Sequence, residues 1–341
     1  MNRRILLLTL LALFLQACGS TASTPTPTAT LIPTATLTPS PLPPSPVPSQ
    51  DATVPAPLPT ISRVLIVTFD GLMPEAIEAA RMTNVMELMQ SGAYTLNAQT
   101  IIPSTTLPAH ASMIVGTCPA KHIVRWNEYV PDNGFALGTD LFDLAHTYGL
   151  RTVIVTGKEK LRQLTEPGST DFFGFIDTTD KFKDITTIEN MAIGQIREGF
   201  GLMLMHFPDG DLAGHEYGWM SKQQLREYKK DDDSFGLLLD VMKDSNMYEG
   251  TLIIITSDHG GHDSTHGTTM PEDMTIPWIV NGPRIIPGAL QTQVYTMDTA
   301  ATAAFGLGLP IPPEWDGIPV YEAFGMPVDG LRSGGCPGVT P

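Results

Sequence analysis

Five stretches of the chain are short and almost wholly apolar: Arg63–Phe69, which is also rich in β-branched residues, Arg151–Thr156, Gly201–Phe207, Thr251–Ser257 and Ile276–Val280. None alternates apolar with polar residues, as a strand with one wet face would. Such runs read as strands buried on both faces, the usual state in a parallel sheet. Between them lie segments with helical spacing: Pro74–Gln90, Leu141–Tyr148, Thr187–Gly199, Lys222–Lys243 and Met297–Phe305. Pro74 near a first turn is a start signal for the first of these. Strands alternating with helices predict an α/β fold, a mostly parallel central sheet with helices on both faces. No internal repeat is visible.

The ends of the chain break this pattern. Arg3 and Arg4 precede Ile5–Leu15, an apolar run too short to span a bilayer but right for a signal peptide. It closes in Leu15-Gln16-Ala17-Cys18, which resembles a bacterial lipobox, with Cys18 the acylated residue. An ordinary signal peptide with a chance cysteine is the plainer alternative. Residues 19 to about 60 are Ser, Thr, Pro and Ala, with a proline every few positions from Pro25 to Pro59. Such a segment cannot bury a core and reads as an extended tether, with a reach of roughly 100 Å at about 3.1 Å per residue. The expected organisation is a signal peptide over 1–17, a lipidated cysteine and tether over 18–61, a catalytic domain over 62–328 and an irregular tail over 329–341. The implied location is extracytoplasmic, anchored to a bacterial membrane through Cys18.

Charge narrows the partners. Lys and Arg number 20 against 36 Asp and Glu, a net charge of −16. That balance, without basic runs, argues against nucleic-acid binding and against electrostatic attachment to anionic lipid. Three cysteines exclude a disulfide scaffold and a Cys₄ zinc site. With Cys18 lipidated, Cys118 and Cys336 could pair outside the cytoplasm or stay as two thiols. The sequence does not set the oligomeric state.

In doubly wound sheets, chemistry gathers outside the carboxyl ends of the strands. Asp70 follows the first strand. Pro208-Asp209-Gly210-Asp211-Leu212-Ala213-Gly214-His215 follows the third. Asp258-His259-Gly260-Gly261-His262, then Thr265-His266-Gly267, follow the fourth. Several carboxylates cannot gather dry and ionised without counter-charge, and few basic residues lie nearby in sequence. Bound cations are the economical solution, and mixed His and Asp ligands suit Zn²⁺. Thr105 and Thr106 stand before Pro108 at a predicted helix start, where a hydroxyl and backbone N–H groups can face an anion. A threonine there can equally be a helix cap. Lys158, after the second strand, could meet a phosphate or stand solvated. Asp231-Asp232-Asp233 reads as a solvated helix face.

Taken together, these segments resemble the alkaline phosphatase superfamily, in particular its nucleotide pyrophosphatase/phosphodiesterase-like branch. The matching elements are Thr68-Phe69-Asp70-Gly71, Thr106-Leu107-Pro108-Ala109-His110, Pro119-Ala120-Lys121-His122-Ile123-Val124 followed by Asn127, Asp211-Leu212-Ala213-Gly214-His215, and Ser257-Asp258-His259-Gly260. The third lacks the family's glycine. A last metal histidine usually precedes glycine, which favours His266 over His262. The Cys-x-Pro-x-Arg pattern of sulfatases is absent.

The resemblance implies two Zn²⁺ ions. Asp211, His215 and His266 would hold one; Asp70, Asp258, His259 and the Thr106 oxygen would hold the other. It also implies Thr106 as nucleophile, with Asn127 and the Thr106 N–H binding phosphoryl oxygens, and a small or absent cap. The substrate would be a small anionic phosphate ester, with diester or pyrophosphate cleavage favoured. Phosphomonoesterase action, envelope phosphoethanolamine transfer and a non-catalytic surface-displayed binding protein are the alternatives.

Overall fold

A computed structural model describes residues 60–176, 186–328 and 335–338. The signal sequence, Cys18 and nearly all of the tether fall outside the described residues. Eight strands form one sheet: β1 (Arg63–Phe69), β2 (Ala93–Gln99), β3 (Thr152–Thr156), β4 (Phe172–Phe175), β5 (Leu202–Phe207), β6 (Thr251–Thr256), β7 (Thr275–Asn281) and β8 (Gly288–Ala289). Their order is β4-β3-β5-β1-β6-β7-β2-β8. Strands β4, β3, β5, β1 and β6 run parallel, while β7 lies antiparallel to both β6 and β2. The five apolar runs are all strands. Those at the centre, β5, β1 and β6, are buried along essentially their whole length.

The three strands the pattern does not predict carry weak hydrophobic signals. β4 and β8 lie at the two edges of the sheet and have four and two residues, and an edge strand needs little hydrophobic pattern because its outer side faces water. β2, next to the short β8, reads AYTLNAQ and is only partly buried.

Successive side chains on a strand face opposite ways, so each apolar run feeds two cores. Val64, Ile66, Leu204 and Ile254 pack on one face with the helices Thr106–Val115 and Asp298–Leu307. Leu65, Val67, Met205 and Ile255 pack on the other with Thr186–Glu198 and Lys222–Asp244. Helices therefore cover both faces, as the alternation predicts. Among the described residues no helix is long and apolar enough to cross a membrane.

Two local readings need correction. The stretch Pro74–Gln90 is two helices, Pro74–Ala79 and Thr83–Ser91, broken where Arg81 takes a left-handed φ of 55°. The second is capped from outside: Asp232 accepts hydrogen bonds from the backbone N–H groups of Asn84 (3.2 Å) and Val85 (3.0 Å). Asp232 and Asp231 are thus fully buried rather than solvated, and only Asp233 of that run pairs at the surface, with Lys229. Helical periodicity locates a face but not the donor that will meet it.

Cys118 and Cys336 form a disulfide with Cα atoms 5.5 Å apart. It brings the tail segment 335–338 onto a small cluster with Ile101, Ala109 and Tyr295.

Candidate active site

Four neighbouring parallel strands end at one rim. β1 delivers Asp70, β6 delivers Ser257-Asp258-His259, β5 runs into the helix Asp209–Tyr217, and β3 delivers Gly157-Lys158. On the helix, Asp211 and His215 are four residues apart and so share a face. Their side chains meet, Nε2 of His215 lying 3.4 Å from Asp211 Oδ1. His266 arrives from the loop after β6, its Nε2 3.5 Å from the same oxygen. His259 Nε2 lies 3.4 Å from Asp70 Oδ1 and 3.3 Å from Asp258 Oδ2.

Each carboxylate has one oxygen tied down and one left over. Asp258 Oδ1 accepts from the N–H groups of Gly71 (3.2 Å) and His259 (3.1 Å). Asp70 Oδ2 meets His206 Nε2 (2.8 Å) and Lys158 Nζ (2.7 Å), and Asp211 Oδ2 accepts from Lys158 Nζ at 2.6 Å. The remaining atoms, Asp70 Oδ1, Asp211 Oδ1, Asp258 Oδ2 and His259 Nε2, are buried without a hydrogen-bond partner. The histidines repeat the division. Nδ1 of His215, His259 and His266 donates to the carbonyl of Ser264 (3.1 Å), Gly260 (2.8 Å) and Ser104 (2.9 Å) respectively. A carbonyl only accepts, so Nδ1 carries the proton and Nε2 presents a lone pair. Histidine ligands of metals are held in this way.

A metal fits this donor set. Asp211, His215 and His266 can close on one ion, and Asp70, Asp211 and His259 on a second. The predicted ligands are thus all brought together. Asp258 joins through its contact with His259, and Asp211 stands between the two groups instead of belonging to one alone.

The electrostatics favour the ionised form of Asp70 and Asp211 and the neutral form of His259 and His266, while Asp258 is pushed the other way. Burial pushes Asp70 up, but Lys158 and His206 outweigh it and hold the carboxyl well below its usual range. Burial and the Asp70 charge push Asp258 well above its usual range when no cation is bound. Burial, helped by neighbouring His259, lowers His266 to about 4. Every one of these groups would favour a divalent ion as its counter-charge.

Thr106 opens the helix Thr106–Val115, and its hydroxyl lies 3.3 Å from Lys158 Nζ. Asn127 Oδ1 accepts from the Leu107 N–H at 2.9 Å, which pins the amide against the start of that helix. Its Nδ2 donors are left for the cavity, whose volume is about 590 Å³ and whose walls include Thr106, Asn127, Tyr129, Lys158, Lys160 and His215. Thr106, not Thr105, meets Lys158, and Asp211, not Asp209, joins the histidines. His262 is bound to Asp273 at 2.7 Å and stands apart from both groups.

Two features differ from the sequence reading. Lys158 is neither solvated nor a free phosphate contact, because it is buried among the carboxylates. A strong cation is therefore present where few were expected. It comes from β3, more than 50 residues before Asp211 in sequence but one strand away from β5 in space. His206, unnoticed in the sequence, buttresses Asp70. Gly157 N–H donates to its Nδ1 at 3.3 Å, which leaves Nε2 to donate to the carboxylate. A signal for it existed. Thr156, His206, Thr68 and Thr256 are paired neighbours across β3, β5, β1 and β6. They form a polar row one layer beneath the rim in otherwise apolar strands.

Comparison with known proteins agrees with this geometry. The family model for type I phosphodiesterase / nucleotide pyrophosphatase matches residues 64–139 and 152–275, more than half of the chain. The chain belongs to this phosphodiesterase/pyrophosphatase family. It is 25% identical over 213 residues to human ectonucleotide pyrophosphatase/phosphodiesterase family member 1, covering 58% of this chain and 23% of that protein. It is 27% identical over 299 residues to the catalytic subunit of human GPI ethanolamine phosphate transferase 2, covering 80% of this chain and 29% of the relative. The match spans about a quarter to a half of the curated relatives' length, 23% to 47% among the first of them. Among solved structures, a 2-O GAG sulfatase superposes with a TM-score of 0.65 at 15% identity, over 80% of this chain and 76% of that one. Inactive murine ectonucleotide pyrophosphatase/phosphodiesterase 5 in complex with AMP gives 0.63 at 12% identity, over 77% and 98%. These likenesses show the alkaline phosphatase-like fold of this family member.

Proposed function

We propose that the protein is a two-metal phosphoesterase that cleaves phosphodiester or pyrophosphate bonds through a phospho-threonine on Thr106. The observation that carries this reading is the convergence of candidate ligand atoms. Asp211, His215 and His266 offer atoms close enough to share one ion, and so do Asp70, Asp211 and His259. Thr106 lines the same cavity as Asp211, His215 and His266, and Lys158 links its hydroxyl to Asp211. Zn²⁺ held there by these residues would lower the cost of charge on the Thr106 oxygen and on the departing ester oxygen.

The chain's own groups do the rest. Lys158 donates toward the Thr106 oxygen and favours its anionic form. Asn127 Nδ2 and the Thr106 N–H, which has no helical acceptor in the first turn, face the phosphoryl oxygens. The Thr106 hydroxyl gives its proton to solvent water, its oxygen bonds phosphorus as the P–O bond to the ester oxygen breaks, and that oxygen takes a proton from water. A second water then bonds phosphorus, the phospho-threonine P–O bond breaks, and the proton from that water restores the hydroxyl. Diesters are favoured because Lys158, the cation nearest the nucleophile, is already engaged by Asp70 and Asp211 and not free to clamp a dianionic monoester.

A second reading, transfer of phosphoethanolamine to an acceptor, is favoured by the matched ethanolamine phosphate transferase. Phosphomonoesterase action is a third. A purely binding role would not require the hydroxyl and a complete ligand set.

Thr106→Ala tests the core of the proposal. It should keep its zinc and lose at least about 10³-fold in kcat, the scale of nucleophile loss in covalent catalysis. Retained turnover would remove Thr106 from the chemistry. Parallel assays of a nitrophenyl nucleotide diester and a nitrophenyl monoester separate the ester classes, and product analysis with an added alcohol detects transfer. A large preference for the monoester would reverse the assignment. The location is also a proposal: a lipoprotein held outside the cytoplasm by Cys18 should leave the membrane fraction in the Cys18→Ser variant.

A further inference from the structure

An ammonium group has three donors. Lys158 donates two of them inside the site, 2.6 Å to Asp211 Oδ2 and 3.3 Å to Thr106 Oγ1, and pairs ionically with Asp70 Oδ2 at 2.7 Å. Only 8% of the residue is exposed. Its two carboxylate contacts fall on the oxygens turned away from the candidate metals, one from each half of the donor set. Its third contact is the hydroxyl of the proposed nucleophile.

The placement is built into the fold. Gly157 packs so closely against the end of β5 that a Cβ would lie 2.1 Å from Pro208 Cγ, so only glycine lets β3 end there. The Lys158 N–H then donates to Thr156 Oγ1 at 3.0 Å, which fixes the direction in which the side chain leaves the strand.

We infer that Lys158 is a resident counter-charge shared by the two halves of the site, setting how tightly both hold divalent ions and how reactive the Thr106 oxygen is. With Lys158 present, three carboxylates share one fixed positive charge, and the donor set keeps its arrangement before any ion binds. The same charge repels an incoming cation. The site therefore gives up metal affinity in exchange for fixed geometry and a donor on the nucleophile. A lysine that only contacted substrate would not need ion pairs at 2.6–2.7 Å with a carboxylate from each half of the site. This inference rests on the two-metal reading above.

The test compares the full-length protein with Lys158→Met and Lys158→Gln, all loaded with Zn²⁺. Zinc affinity is read by competition with a chromophoric chelator, and kcat and KM with the nucleotide diester. Removing a unit charge a few Å from the ions should tighten zinc binding at least about tenfold in both variants. Loss of the donor to Thr106 should lower kcat about 10²-fold with KM within about threefold. Gln, which can still donate but carries no charge, should match Met in zinc affinity while recovering part of kcat. Weaker zinc binding in the variants would make Lys158 a structural support and overturn the inference. So would unchanged affinity with a raised KM, which is the mark of a substrate contact. A wild-type protein that binds no zinc would instead overturn the two-metal reading, so the two failures can be told apart. A variant that unfolds even with zinc, while the other folds with unaltered affinity, also counts against the shared charge.

Discussion

The two halves of the site are built differently. Asp70, Asp258 and His259 are completely buried and stand directly on the ends of β1 and β6. Their positions follow from sheet register, which the apolar runs fix. Asp211, His215 and His266 stand on a helix and a loop, and the His215 side chain is 43% exposed. The ring directions of His215 and His266 depend on the carbonyls of Ser264 and Ser104, which belong to other loops. One half is part of the core, while the other joins the buried Asp211 to histidines that line the cavity, one of them exposed. The strand-end half should therefore contribute to stability and the helix-loop half mainly to function.

The largest expected difference comes from removing one ligand from each half. Asp70→Ala deletes a carboxylate that Lys158 and His206 both face in the core. Leaving a buried charge short of its partner costs about 3–5 kcal/mol. His215→Ala removes an exposed ring and should stay within about 0.5 kcal/mol of wild type. Urea denaturation of both variants in the presence of chelator gives the comparison. Equal losses would mean the halves are not distinct structural units.

That contrast also explains what the sequence made legible. The strand-end groups follow apolar runs that can be read directly, so Asp70, Asp258 and His259 could be placed from the order of elements alone. Asp211 and His215 were legible through the resemblance of Asp211-Leu212-Ala213-Gly214-His215 to the family's motif. Lys158 and His206 were not, for two reasons. Lysine after a strand is most often solvated, and nothing local says that the neighbouring strand will bring Asp211 over it. His206 sits inside an apolar run, where a single polar residue reads as noise until the register lines it up with Thr68 and Thr156. The buried Asp232 was illegible for the same reason: its partners, the N–H groups of Asn84 and Val85, lie far along the chain.

A second effect, smaller than the loss of Asp70, tests whether the core half is dry. His110 lies beneath it, donating from Nδ1 to the Thr106 carbonyl (2.9 Å), with Nε2 3.0 Å from Thr68 Oγ1. Burial, with the nearby His206, lowers its pKa from 6.5 to about 3. Between these values the unfolded chain binds a proton that the folded chain does not, so this group's contribution falls as pH falls through 6.5. From pH 6.5 to 4.5 the loss is roughly 2–3 kcal/mol. His110→Asn cannot take part, so the stability gap between wild type and variant, both chelated, should narrow by that amount over the interval. A constant gap would mean that water reaches the ring and that the core half is less closed than its burial implies.

The smallest effect sharpens the comparison with the metal itself. If exposure controls exchange, a chromophoric chelator should draw zinc from the loaded protein in two phases. The fast phase belongs to the ion held with the exposed His215, and the slow phase to the group of Asp70, Asp211 and His259, in which every residue is buried. Release from the buried set needs local opening, and an opening cost of only about 1.4 kcal/mol already separates the rates about tenfold. His215→Ala should speed or abolish the fast phase and leave the slow one in place. Asp258→Asn, whose Oδ1 would still accept from Gly71 and His259, should change mainly the slow phase. Asp211 is the complication, because it stands near both groups, and Asp211→Asn should disturb both phases together. A single phase in the wild type, or a slow phase that follows His215, would show that the two halves exchange as one unit. The shared carboxylate and Lys158 would then dominate over the difference in burial.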